Sequence, residues 1–212
     1  MSVHLVLHSD QAGPHSRSAD QRVLSAVRSN VPRIGYISSS PDPDRLFFRD
    51  RVAYYSEIGA KLDVYVDEES VSGGCIPHLQ QCDAIHLSGG NTFTFARWLR
   101  QSNLFDALIH YANSGRPLIG VSAGAIMLTK SIASAALCGD LRPDDVVDEQ
   151  GLSLVQFGFW PHFSENRSRP FTEDRLQDTY GTMYGCPNGC AVLVSEMHVE
   201  SFGQVEVLTS DV

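Results

Sequence analysis

What this sequence lacks narrows its function before any motif is read. No cluster of Lys and Arg offsets a formal charge of −9, so the positive footprint by which proteins hold a nucleic-acid backbone is missing. No apolar run approaches the roughly 20 residues that cross a bilayer as a helix. The opening stretch, MSVHLVLHSDQAGPH, is too short and too rich in His and Asp for a secretory leader, and reads as a first buried strand. The cysteines, Cys75, Cys82, Cys138, Cys186 and Cys190, are odd in number and lack zinc-ribbon spacing. That argues against a metal site and for reduced thiols in a reducing, cytoplasmic setting. Neither the phosphate loop ending in Lys-Ser/Thr nor Gly-x-Gly-x-x-Gly occurs. Internal repeats, low-complexity tracts and linkers are missing as well.

What is present is the composition of a globular α/β protein. Of 212 residues, 42% are apolar and 19% charged, enough for a sizeable core. Short apolar runs bounded by turn residues predict strands at 4–9, 34–39, 61–67, 83–89 and 117–123. Helix-like stretches fall between them at 19–29, 44–58, 92–102 and 104–114, with Asp44 as a candidate cap for the second. Such alternation, with nearly continuous apolar strands, predicts a mostly parallel sheet covered on both faces. Past residue 130 the pattern fades into ASAALCGDLRPDDVVDEQG, an acidic, turn-rich excursion. It is followed by LSLVQFGFWPHF, a helix near 172–181, and strand-like AVLVSEMHVE and QVEVLT. A single domain over 1–212 is the expectation.

In open α/β sheets ligands bind beyond the carboxyl ends of the strands, and two predicted strands end in small residues there. Gly120-Val121-Ser122-Ala123-Gly124 has the form of a nucleophile elbow, in which a serine on a tight strand-to-helix turn needs small neighbours. Alone, the pattern suits a small-residue packing turn better. Ser88-Gly89-Gly90-Asn91-Thr92 offers backbone N–H groups to a ligand, with Asn91 and Thr92 as candidate substrate contacts. It also suits a plain turn in which Asn91 or Thr92 caps the next helix. A serine needs a base. His162, in GFWPHFSENRSR, is the best placed, on a segment stiffened by Pro161 and aromatics. His4, His8 and His86 lie in strand patterns and read as core or surface residues.

Taken in order, LSGGNTFTF, IGVSAGAIML and PHFSENR resemble the peptidase E and cyanophycinase family of serine peptidases, and the resemblance runs through most of the chain. It implies a flavodoxin-like α/β fold akin to class I glutamine amidotransferases, with serine in place of their cysteine. It also implies Ser122 as nucleophile, His162 as base, Gly90 and Ala123 as oxyanion N–H donors, and no cofactor or metal. The expected substrate is a short peptide, with N-terminal Asp as the family preference, and the expected assembly is a monomer or homodimer without nucleic-acid or membrane partners.

The sequence departs from the family at the third member of the triad. The matching segment, GCPNGC, puts Asn188 where relatives carry Glu or Asp. Asn can orient His162, as Cys-His-Asn peptidases show, but offers no negative charge to the imidazolium. Three readings stay open: a Ser-His-Asn site, recruitment of Glu165 or Asp148, or lost catalysis. Likewise Thr172 stands where the family arginine for an acidic substrate is expected, with Arg167, Arg169 and Arg175 nearby as candidate clamps. The alternatives to a peptidase are an amidotransferase-like protein binding a small acidic metabolite and, more remotely, an esterase of the α/β-hydrolase type.

Overall fold

The computed structural model describes residues 3–71, 74–146, 148–163, 179–196 and 198–209. In chain order the elements are β1 (His4–His8), α1 (Gly13–Leu24), β2 (Arg33–Ile37), α2 (Leu46–Glu57), β3 (Lys61–Val66), α3 (Cys75–Gln80), β4 (Ala84–Leu87), α4 (Thr92–Gln101), α5 (Leu104–Asn113), β5 (Leu118–Val121), α6 (Ala123–Met127), α7 (Ala135–Cys138), β6 (Gly158–Pro161), β7 (Thr182–Cys186), β8 (Ala191–Ser195), β9 (His198–Phe202) and β10 (Glu206–Thr209). A seven-stranded sheet runs β3-β2-β4-β5-β1-β8-β9, and a three-stranded one runs β10-β7-β6. From β3 to β1 the pairing is parallel, whereas β8 and β9 are antiparallel. This is the flavodoxin-like α/β arrangement.

The parallel strands read as continuous apolar runs because both faces are covered. Their alternate residues feed two separate cores. Leu5, Leu7, Ile85, Leu87 and Leu118 face α4, α5 and α6, in a core with Phe95, Trp98 and Leu108. Val6, Ile34, Tyr36, Ala84 and Ile119 face α1 and α2, in a core with Val23, Leu24 and Tyr55. The small sheet has its own cluster of Trp160, Phe163, Tyr180 and Met183.

Several elements differ from the sequence pattern. The first helix spans Gly13–Leu24 and buries Ser16 and Asp20, so polar residues on its inner face hide the periodicity. Asp42, not Asp44, caps α2: its carboxylate accepts from the N–H groups of Leu46 at 3.0 Å and Phe47 at 3.1 Å. The apparent strand AVLVSEMHVE is a hairpin, β8 and β9, folded back near Glu196, whose φ is 57°. The acidic segment after residue 130 contains α7 and is fastened to α4. The Asp140 carboxylate accepts from Thr92 N–H at 2.7 Å, and Asp145 pairs with Arg97 at 3.0 Å. The helix expected near 172–181 lies mostly outside the described residues.

Candidate active site

Four strand ends meet at one edge. His8 and Val121 are register partners on β1 and β5, and Pro161 and Cys186 are partners on β6 and β7. The residues that follow these pairs therefore emerge side by side: Ser9 and Ser122 from the large sheet, His162 and the 187–189 turn from the small one.

Ser122 joins β5 to α6 with φ 50° and ψ −108°. A non-glycine residue held there carries about 1–3 kcal/mol of strain, which persists only where surrounding contacts enforce it. Here they do. Ser122 N–H donates to the His8 carbonyl at 2.9 Å and Gly124 N–H to the Ser88 carbonyl at 3.1 Å. A Cβ on Gly120 would lie 2.5 Å from the Gly124 oxygen, and one on Gly124 would lie 2.2 Å from the Leu87 oxygen. The glycines flanking the serine are thus required by backbone-to-backbone approach between β4, β5 and α6. With the amides on either side engaged, Ala123 N–H is the elbow amide that donates to none of the described residues. In the neighbouring loop Gly90 N–H is equally unengaged. Gly90 has φ 142° and no room for a Cβ, which would meet Ser39 Oγ at 2.1 Å.

Ser122 Oγ lies 3.1 Å from His162 Nε2, and His162 Nδ1 lies 2.6 Å from Asn188 Oδ1. His162 itself has φ 56°. Its N–H donates to Ser9 Oγ at 2.8 Å, and the Ser9 hydroxyl donates to Asn188 Oδ1 at 3.1 Å. The turn is pinned once more where Gly189 N–H donates to the Asp10 carboxylate at 2.6 Å. All three expected members of the row, Ser122, His162 and Asn188, are therefore brought together.

Beside the elbow opens a cleft of about 470 Å³ whose wall includes Gly89, Gly90, Val121, Ser39, Tyr36, His86, Asp50 and Arg51. His86 is buried, stacked on Tyr36 at 4.9 Å, and its Nδ1 meets Tyr55 Oη at 2.9 Å. Burial, then the Arg51 guanidinium and His8, hold it well below the usual histidine value, so it is neutral. Arg51 Nη1 donates to the Gln11 carbonyl at 3.2 Å and to Gln11 Oε1 at 3.0 Å. Among the described residues it has no carboxylate partner. No group of three or more His, Cys, Asp or Glu side chains among the described residues is arranged to hold a metal ion.

The sequence signature of peptidase family S51 matches residues 5–202. The chain belongs to peptidase family S51. It is 26% identical over 197 residues to peptidase E of Nostoc sp. (strain PCC 7120), a match covering 87% of this chain and 78% of that protein. Its fold is similar to that of a Listeria monocytogenes EGD-e protein assigned to peptidase E, with TM-score 0.73, 20% identity, and 95% of this chain and 98% of that one covered. It is similar as well to a peptidase from an acI-B1 actinobacterium, with TM-score 0.71, 17% identity, and 99% and 95% covered. As a member of S51 this protein is a serine-type peptidase. No helix among the described residues is long and apolar enough to cross a membrane.

The remaining expected residues of this S51 member fare differently. Asn91 is committed to structure: its Oδ1 accepts from Thr94 N–H at 3.0 Å and its Nδ2 donates to the Leu141 carbonyl at 2.9 Å. Thr92 is fully buried. Both belong to the cap of α4, and the contact with the cleft is made by Gly89 and Gly90. Asp148 pairs with Arg100 at 3.2 Å and accepts from Gln150 N–H. Glu165, Arg167, Arg169, Thr172 and Arg175 lie outside the described residues. Pattern reading passed over Ser9, Asp10, Gln11 and Arg51. The rule that ligands gather beyond strand carboxyl ends, applied to β1 as it was to β4 and β5, points to Ser9, Asp10 and Gln11.

Proposed function

We propose that this protein hydrolyses short peptides through an acyl-enzyme on Ser122. The observation that carries the reading is the row Ser122 Oγ, His162 and Asn188 Oδ1, linked at 3.1 and 2.6 Å. His162 Nε2 accepts the Ser122 proton as Oγ attacks the scissile carbonyl, and later gives it to the leaving amine. Gly90 and Ala123 N–H groups receive the oxyanion that forms on the carbonyl oxygen. Water, activated by the same histidine, then releases the acyl group. Asn188 holds the ring through Nδ1–H without neutralising the imidazolium. The cleft lined by Arg51 receives the peptide, and the guanidinium pairs with a substrate carboxylate, which makes acidic dipeptides such as Asp-Xaa the preferred class.

A serine-directed fluorophosphonate probe and a panel of Asp-Xaa against Xaa-Xaa dipeptides test this. The expected result is labelling and turnover by the wild type, and neither by Ser122→Ala. Absence of both from the wild type would sink the peptide-hydrolysis reading. It would leave the metabolite-binding alternative, which the uncharged Asn188 and the Arg51 cleft favour.

A further inference from the structure

The proposed row contains a weakness that a carboxylate would not have. An ionised Asp or Glu only accepts hydrogen bonds, so either oxygen forces the proton of a neighbouring imidazole onto Nδ1. An Asn amide can be turned over, and its NH2 then demands that Nδ1 be the acceptor. In that case the ring proton sits on Nε2, pointing at Ser122 Oγ, and the base is lost.

We infer that Ser9 is the positioning residue that prevents this, by fixing the amide of Asn188 and through it the tautomer of His162. The inference rests on the Ser122–His162 reading above. Backbone N–H of His162 can only donate, and it donates to Ser9 Oγ at 2.8 Å. The buried hydroxyl still has a proton to place, and donates it to Asn188 Oδ1 at 3.1 Å, its acceptor among the described residues. An NH2 group at that position cannot accept it. Turned over, the amide would donate to Ser9 Oγ, which already accepts from His162 N–H, and would take from the buried hydroxyl proton the acceptor it has in Oδ1, while the 2.6 Å contact would reverse so that Nδ1 accepts. The need of one buried hydroxyl for an acceptor thus passes through an amide and an imidazole, and emerges as a lone pair on Nε2 facing Ser122. Ser9 is fully buried, so water does not compete for its hydroxyl. Asp10, the next residue, secures the following amide, Gly189 N–H, at 2.6 Å. Ser9 reaches the reaction through His162 and Asn188 and is not itself a catalytic residue.

The test is a pair of backgrounds. Ser9→Ala in the native chain is expected to lower kcat about tenfold or more, as a wrong-tautomer defect does, with KM little changed. Ser9→Ala in an Asn188→Asp chain should lower kcat by less than about threefold, because a carboxylate needs no help to stay an acceptor. Ser9→Thr, which keeps the hydroxyl, should restore most of the native rate. Heteronuclear NMR of the His162 ring nitrogens reads the same effect without turnover: a proton on Nδ1 in the native protein, and a shift toward Nε2 in Ser9→Ala. Equal losses in both backgrounds, or an unchanged tautomer in Ser9→Ala, would overturn the inference. A native protein with no peptidase activity but with a Ser9-dependent tautomer would overturn only the peptide-hydrolysis reading.

Discussion

Two His–Asx pairs lie near the carboxyl end of the sheet, and they serve opposite ends. In the first, His8 Nε2 meets the Asp20 carboxylate at 2.8 Å, with both side chains fully buried. Asp20 accepts two more bonds, from Gln11 Nε2 at 2.7 Å and Tyr54 Oη at 2.7 Å. In the second, His162 Nδ1 meets an amide oxygen, that of Asn188, and its other nitrogen faces a strained serine beside an open cleft. The pair with the carboxylate is closed among donors, and the pair with the amide faces the proposed nucleophile. On the proposed mechanism, a carboxylate beside a histidine is therefore a poor mark of the base. The better mark is a ring with one nitrogen oriented and the other aimed at a nucleophile.

Exchanging damage between the two pairs gives the largest expected effects. His162→Ala should lower kcat by about 10³-fold or more and leave the unfolding free energy within about 1 kcal/mol, as expected of a position that is only partly buried. Asp20→Ala should do the reverse. It leaves His8, Gln11 and Tyr54 donating into a void, at a cost of about 3 kcal/mol in stability, with kcat per folded molecule within about threefold of native. Urea unfolding and active-site titration measure the two quantities separately. A kcat loss in Asp20→Ala as large as that of His162→Ala would erase the distinction drawn between the pairs.

The contrast also explains what was legible in the sequence. Parallel strands buried on both faces leave an unmistakable apolar signature, so β1 to β5 and the sheet they form follow from pattern alone. Ser122 and His162 were legible because motifs flank them, and the backbone approaches at Gly120 and Gly124 make those motifs obligatory. The network around Asp20 was illegible for the opposite reason. Burying Ser16 and Asp20 in α1 makes an inward face look like an outward one, and the polar partners come from β1, α2 and the 9–12 loop, far apart in sequence. Ser9 escaped for a related reason: its role depends on β6, β7 and the 187–189 turn arriving at β1, which no local spacing records. Asp42 displaced Asp44 as a cap because Arg45 takes a left-handed conformation, φ 52°, and the helix starts at Leu46, two residues later than the pattern suggests.

A smaller effect separates the buried polar face from the open site by pH. His86 is held neutral in the fold by burial, with Arg51 and His8 adding to the effect, whereas in the unfolded chain it titrates near about 6.5. Below that value the unfolded state binds a proton that the native state refuses, so stability falls as pH falls. The slope attributable to this one residue reaches about 1.4 kcal/mol per pH unit. His86→Gln should flatten the stability profile by that slope between about pH 6.5 and 5 and leave it unchanged at higher pH. Parallel profiles for the two proteins would show that His86 is protonated in the native state.

The smallest effect concerns the acidic segment after β5, whose charges contrast with Asp20 in being open to water. Asp145 pairs with Arg97 at 3.0 Å and Asp148 with Arg100 at 3.2 Å, with the two acids 64% and 58% exposed. Pairs this exposed contribute only about 0.2–1 kcal/mol each, and added salt screens them. The firmer attachment is uncharged on the α4 side: Asp140 accepts the Thr92 N–H, and Leu141 accepts from Asn91. Arg97→Gln with Arg100→Gln should therefore cost no more than about 1–2 kcal/mol in dilute buffer, a difference that largely vanishes near about 0.5 M NaCl. Asp20→Ala should keep its full cost in the same salt, because ions do not reach a side chain with no exposed surface. A salt-insensitive loss in the double arginine variant would mean that the straps share the buried character of the Asp20 cluster. The segment would then be held to α4 by its charges rather than by the cap at Asn91 and Thr92.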